Sequence, residues 1–436
     1  MGESATRTVE IDVHHITRVE GHGNIVVRAS DGTIEQVEWQ VPEAPRFFEA
    51  MVLDQTWDHI QTIVSRICGI CSVTHSLASL KAIEDAMSIP ISDQTRRLRT
   101  LLHYGEFVES HVLHVGYLAA PDLLGKPSVV PLLETHPDLV KTIVRVHRFG
   151  NEIMDWLGGR RTHPVTVKPG GFSKLPRAAE LLDFKQRFED IVPDLVTIAE
   201  AIASVADRFP DFQRETEYIG LVEEGEYPFY EGQIGSTDVD EIVPVQEFER
   251  VANEYVSPQS TAKWTKWHRD SYAVGALARF NLNADNLLPL AAKTAADLGL
   301  EKGCVNPYMN NAAQVVEVVQ AVEDGLRIIE ELLTEGIAPE TPEVEPTAGE
   351  GVGSVEAPRG ILFHRYAFDE SGSCVKANIC IPTNQNHANI QKDFEELVPG
   401  YLDQGEDELR FMMEMLVRSY DPCISCSTHY LEVEFV

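Results

Sequence analysis

Polar and apolar positions alternate from Thr8 to Val13, the period of a half-buried strand. Two further strand-like runs, Asn24–Ala29 and Thr33–Val41, flank Ser30-Asp31-Gly32. Asp-Gly between two such runs is a strong hairpin signal. After these residues the period changes. Leu181, Phe184, Phe188, Ile191, Leu195 and Ile198 recur at three and four, the stripe of a helix packed on a core. Pro193 is expected to kink or end that stripe. Long helical patterns also cover 75–118, 135–157, 285–300 and 312–335. Between 210 and 265 the chain turns aromatic, acidic and rich in Gly and Pro, which predicts an irregular or β-rich insertion. The stretch 336–353 reads as a loop by composition.

The expected fold is mainly α within the α+β class. A large helical-bundle core carries a small N-terminal sheet and a mixed insertion, with no internal repeat. One body is expected to span 1–436, divided into an N-terminal β segment (1–45), a helical core (46–209), the mixed insertion (210–265) and a helical, C-terminal part (266–436).

Composition narrows the function. The 436 residues are 43% hydrophobic and 24% charged, an ordinary globular balance. Against 36 Lys and Arg stand 69 Asp and Glu, a formal charge of −33. Such a surface repels phosphate backbones and anionic membranes, so no nucleic-acid partner is expected. No run of about 18 apolar residues is present, and no membrane span is expected. The start, MGESATRTVEIDV, lacks the apolar stretch of a secretory signal, so a cytoplasmic location is expected. Its fit to the loose myristoylation pattern is read as chance, because no basic patch accompanies it. Seven cysteines, far apart, do not make a disulfide scaffold and point to metal or redox chemistry.

Two pairs stand out: Cys68-Gly69-Ile70-Cys71 and Cys423-Ile424-Ser425-Cys426. A C-x-x-C turn aims two thiolates at one metal atom, and two such turns supply four soft ligands. A four-cysteine zinc clip is the bland reading. The pairs lie 355 residues apart, which favours a buried site assembled by the whole fold. Their surroundings add Arg66 before the first pair, Asp421-Pro422 before the second, and a histidine after each, His75 and His429. Cys304, Cys374 and Cys380 lack a partner motif and read as packed thiols.

With these motifs the chain resembles the large, catalytic subunit of [NiFe]-hydrogenases, along nearly its whole length. The resemblance rests on T-R-V-E-G-H-G at 17–23, P-R-F-F-E at 45–49, R-x-C-G-x-C at 66–71, S-H-V-L-H at 110–114, A-P-R-G at 357–360, I-P-T-N at 381–384 and D-P-C-x-x-C-x-x-H at 421–429. The wording is most similar to the soluble, multi-subunit branch that exchanges electrons with NAD(P), a deazaflavin or related carriers.

The resemblance implies reversible H2 oxidation at a centre of nickel and of iron carrying CO and two cyanides. Cys68 and Cys423 would be terminal nickel ligands, and Cys71 and Cys426 would bridge to iron. Glu20 would be the proton gate beside Cys423. Arg359, shaped by Pro358 and set over Asp421, would hold the cyanide nitrogens and serve as a candidate base for the heterolytic step. Thr383 would hydrogen-bond the second cyanide, and His75 a bridging thiolate. Glu49, His429 and the carbonyl of Ile379 would bind a magnesium ion. Two departures from the family matter. Ser110 stands where many relatives have an acid. Seven residues follow His429, where most relatives are trimmed after nickel insertion; the tail alternates like a strand, and removal is favoured. No C-x-x-C-x-x-C run is present, so electrons are expected to leave through a small subunit with iron–sulfur clusters and on through flavin or diaphorase subunits. The alternative is a hydrogenase-like scaffold of a larger redox complex without H2 activity.

Overall fold

The computed structural model describes residues 8–340 and 344–428. Strands Thr8–Val13, Asn24–Ser30 and Thr33–Gln40 form an antiparallel meander. Asp31 and Gly32 both take positive φ, 50° and 75°, as the tight turn between Ser30 and Thr33 requires. Trp39 is fully buried beneath this sheet. Its backbone N–H donates to Gln391 (2.8 Å) and its indole N–H to His387 (3.0 Å). Those two residues lie on helix Pro382–Tyr401, so the N-terminal sheet packs on the C-terminal part of the chain.

The helical body follows the apolar periodicity with four adjustments. The stretch expected at 75–118 is two helices, Ser72–Met87 and Asp93–Leu113. Ser88 adopts a left-handed conformation, Pro90 follows, and the Ser92 hydroxyl accepts the Thr95 N–H (2.9 Å) to start the second helix. Beyond Leu113 the coil widens into a π turn, His114–Ala119. The patterns at 135–157 and 312–335 become Pro137–Gly158 and Asn310–Glu335, and 285–300 shortens to Pro289–Asp297. Pro193 does not end its helix, which runs unbroken over Ala178–Ala203. Its side is exposed, so the carbonyl it leaves unpaired one turn earlier can meet water.

The loop read at 336–353 is a second correction. From Gly349 onward the chain is a strand, Gly349–Ala357, pairing with Gly360–Phe368 and then Cys374–Cys380 in an antiparallel sheet. Gly349, Gly351 and Gly353 share the face that lies against helix Ser72–Met87. A Cβ at Gly351 would sit 2.2 Å from the backbone nitrogen of Ala86, and one at Gly353 2.0 Å from the Ala78 carbonyl oxygen. The glycines are there for close approach of strand to helix, not for flexibility. The aromatic, acidic segment forms short strands, Glu217–Val222, Gln233–Ser236, Asn253–Tyr255 and Trp264–Lys266, around a small core of Ile219, Leu221, Ile234 and Phe248. The main core is one continuous cluster, and it contains Cys68, Cys71, Cys423 and Cys426. No described helix is long and apolar enough to cross a membrane.

Candidate metal centre

The first cysteine pair is built into a helix start. A short turn, Ser65–Ile67, leads to extended Cys68, and Cys71 then caps helix Ser72–Met87. The backbone N–H groups of Ile70 (3.3 Å) and Cys71 (3.2 Å) donate to the Cys68 sulfur, the geometry that favours a thiolate. The first free N–H groups of the helix are taken by a buried carboxyl. Glu106 accepts from the N–H of Val73 (2.6 Å) and of Thr74 (3.1 Å), and from the Thr74 hydroxyl. Burial pushes this carboxyl up to about 8.

The second pair sits on a helix of four residues, Ile424–Ser427. The chain enters it through Asp421 in left-handed conformation, φ 49°. Residues from elsewhere in the chain hold it. The Thr383 hydroxyl accepts the Cys423 N–H (3.0 Å). The backbone of Glu20 bridges that of Cys423, accepting from the Ile424 N–H (3.0 Å), while the Glu20 carboxylate accepts from the Ser425 N–H (3.0 Å). The Ser425 hydroxyl donates to Glu43 (2.7 Å). The Arg46 N–H donates to the Thr428 carbonyl (3.1 Å), and the Arg46 guanidinium donates to the Ile67 carbonyl (2.7 Å), tying the two pairs to one segment.

The four sulfurs lie within 4.8 Å of one another, all buried. Cys68 and Cys423 are 3.5 Å apart and Cys423 and Cys426 2.6 Å. A hydrogen bond from Cys423 holds Cys68 well below the ordinary thiol range, and burial pushes Cys426 well above it. Four thiolates in so dry a place need a dication to coexist, so this donor set fits a soft, thiolate-binding metal.

A buried cation lies close to the sulfurs. Arg359 donates from Nε to the Asp421 carbonyl (2.8 Å), from Nη2 to the Asp421 carboxylate (2.9 Å) and from Nη1 to the Ser110 hydroxyl (3.1 Å). Burial opposes its charge, but Asp421 and the cysteines hold it protonated. The sequence profile described as nickel-dependent hydrogenase matches residues 46–144 and 222–429, most of the chain and both cysteine pairs.

The chain belongs to the nickel-dependent hydrogenase family.

It is similar to sulfhydrogenase 2 subunit alpha of Pyrococcus furiosus, at 32% identity over 97% of this chain and 100% of that one. It is also similar to the NAD-reducing hydrogenase HoxS subunit beta of Cupriavidus necator, at 29% identity over 95% and 94%. In three dimensions it matches an NAD+-reducing [NiFe]-hydrogenase in the H2-reduced state with a TM-score of 0.87 and 27% identity, covering 98% and 100% of the two chains. This hydrogenase subunit is therefore the catalytic one, an oxidoreductase acting on H2, and its cysteines are the place for nickel and iron. The readings as a zinc clip and as a scaffold without H2 chemistry fall away.

The remaining expected site residues divide by surroundings. Ser110 supplies the hydroxyl that accepts from Arg359. The ring of His75 is buried one turn after Cys71, its Nδ1 3.1 Å from Nε2 of His364, whose Nδ1 in turn meets the Tyr366 hydroxyl (2.6 Å). Glu49 and Ile379 are brought together, but through the Ile379 N–H donating to the Glu49 carboxylate (2.7 Å). Pro358 turns its carbonyl to Arg279 (3.0 Å). Cys374 and Cys380 are buried in the strand that they delimit, and Cys304 is half-buried. His429 and the tail lie outside the described residues.

Sequence reasoning missed Glu106, Arg279 and Glu317. One signal was available for the first. His103, Glu106, Ser110 and His114 recur at three and four along helix Asp93–Leu113 and the turn after it, and all four are buried. A polar stripe at helical spacing inside an apolar helix marks a face turned toward chemistry. Here that face meets Thr74, Arg359, Gln314 and the Arg418 carbonyl.

Proposed function

We propose that this subunit performs reversible, heterolytic H2 cleavage in a soluble, cytoplasmic assembly. It would pass electrons to an iron–sulfur small subunit and on to a flavin-bearing partner and a soluble carrier. The observation that carries the proposal is the cluster of four sulfurs within 4.8 Å, drawn from the two ends of the chain under one buried arginine. Cys68 and Cys423 would hold nickel, and Cys71 and Cys426 would be shared between nickel and an iron that would carry CO and two cyanides. When bound, this pair supplies a soft, redox-active centre at which H2 is polarised and split.

The chain's own residues do the rest. The Cys423 sulfur takes the proton, and Glu20, paired to Cys423 through its backbone, relays it outward. Arg359 acts as a charged donor and not as a base. Three of its five N–H groups are spent on Asp421 and Ser110, which leaves one on each Nη for the cyanide nitrogens. The Thr383 oxygen accepts from the Cys423 amide, so its own proton remains to donate to the second cyanide. His75 tunes a bridging thiolate. Glu49, the Ile379 carbonyl and His429 would supply oxygen and nitrogen ligands to a magnesium ion. Exposed Phe47, Met51 and Leu53 flank the segment that touches both cysteine pairs and offer the small subunit a seat. The similarity to sulfhydrogenase and NAD-reducing relatives supports the soluble branch.

Metal analysis and infrared spectroscopy of the purified complex test this reading. Nickel and iron in near-equal amounts, with CO and cyanide bands, are expected. Zinc alone, or metals without those bands, would overturn it.

A further inference from the structure

Arg359 stands in the turn of a hairpin. Strand Gly349–Ala357 pairs with Gly360–Phe368 so that Ala357 faces Gly360, and the connection is Pro358-Arg359. A turn this short has no side-chain packing of its own to fix the direction of a long arginine. Another buried arginine does it. Arg279, on helix Ala276–Asn283, is wholly inaccessible. Its Nη1 donates to the Ala357 carbonyl (2.9 Å) and to Glu356 (2.8 Å), and its Nη2 donates to the Pro358 carbonyl (3.0 Å). Its Nε and Nη2 together take Glu317 as a fork, at 2.6 and 2.7 Å. All five N–H groups are thus used, two of them on the residues just before Arg359.

The same unit reaches the other support of Arg359. Glu317 also pairs with Nε2 of His111 (2.8 Å), and His111 follows Ser110, whose hydroxyl receives Arg359. Although burial works against it, Arg279 holds the Glu317 carboxyl down to about 2, so the fork stays ionic.

We propose that Arg279 is a positioning residue that, through the Ala357 and Pro358 carbonyls and through Glu317–His111, aims the Arg359 guanidinium over the four sulfurs. It touches neither substrate nor metal. The inference rests on the reading of Arg359 as donor to the iron's diatomic ligands. The direct test does not depend on that reading.

Arg279→Lys keeps the charge but cannot reach both carbonyls and both carboxylates. A crystal structure of the variant complex is expected to show the Arg359 guanidinium displaced from Ser110. The cyanide bands are expected to shift, and the KM for H2 to change with kcat, while nickel content stays at the native level. Tyr227→Phe serves as control. It removes another hydrogen bond to Glu317 (2.8 Å) without touching the hairpin turn, so its melting temperature is expected to fall while Arg359 and the bands stay in place. If Arg279→Lys fails to fold, the double variant Arg279→Met/Glu317→Met removes the buried pair together and takes its place in the test. An unmoved Arg359 in either folded variant overturns the proposal. A displaced Arg359 with unshifted bands upholds it and refutes the cyanide reading instead.

Discussion

The two cysteine pairs share a spacing and differ in everything that holds them. Cys68 and Cys71 open a 16-residue helix, nearly all of it buried and packed on a strand of glycines, with Glu106 across its first turn. Cys423 and Cys426 sit on four helical residues, too few to be stable alone. Glu20, Thr383, Glu43 and His387 hold them, four side chains from three distant stretches of chain. The first pair belongs to an element with its own helical stability. The second is placed by assembly, and the metal would complete what the short helix cannot. A site built this way has one preorganised half and one that closes on the ion, which suits a centre loaded after the body has folded.

The largest effect expected comes from the ligands. Cys68→Ser and Cys423→Ser should each abolish nickel binding and H2 turnover, since a hydroxyl is a poor, hard ligand for nickel. In both metal-free proteins limited proteolysis should attack 423–428 first and spare 72–87. Equal resistance of the two segments would erase the contrast.

Next comes the support of the first pair. Gly351→Ala puts a methyl within 2.2 Å of the Ala86 backbone and forces strand and helix apart. A loss of about 3 kcal/mol or more is expected, read as a fall in denaturant midpoint. A variant as stable as the parent would show that this packing is slack.

Thr383→Ala acts on the second pair. It leaves the buried Cys423 N–H without an acceptor, at a cost of about 1–3 kcal/mol. Nickel affinity should weaken about 10–100-fold, because the lost partner orients a ligand. Unchanged nickel retention in competition with a chelator would argue that the metal alone orders this segment.

The smallest effect is on pH. The His387 Nδ1 accepts the Trp39 indole proton, so the neutral ring carries its own proton on Nε2 and donates it to Ser427 (2.9 Å), the residue after Cys426. Burial lowers this imidazole from 6.5 to about 3. Its contribution to stability is present above pH 6.5 and is lost as pH falls toward 3. Between pH 6 and pH 5 that slope is about 1.4 kcal/mol per pH unit at most. His387→Gln should flatten the melting-temperature profile in that window and lower stability at neutral pH. A profile unchanged by the substitution would remove His387 from the support of the second pair.

How much of this was legible beforehand varies by residue. The hairpin at Asp31-Gly32 was, because its turn chemistry is local. So were the helices, whose apolar stripes repeat every three and four residues, except at Pro193, where exposure let the helix continue. Gly349, Gly351 and Gly353 misled, because a glycine that permits a turn and a glycine that permits contact look alike in sequence. Among the site residues, the cysteines and Arg359 announced themselves through motifs. Arg279 and Glu317 did not, since a buried ion pair between two helices leaves no local pattern.

By itself the sequence determined the donor set, the helical character of the body and the acid surface, because each follows from residue types and short-range spacing. Only the tertiary structure decided that sulfurs 355 residues apart lie 3.5 Å from each other. It also decided that the Ser110 hydroxyl would receive Arg359, and that a second arginine would meet the turn that carries the first. Those outcomes depend on which faces meet once the core has closed, and meeting faces are set by the packing of the whole chain at once.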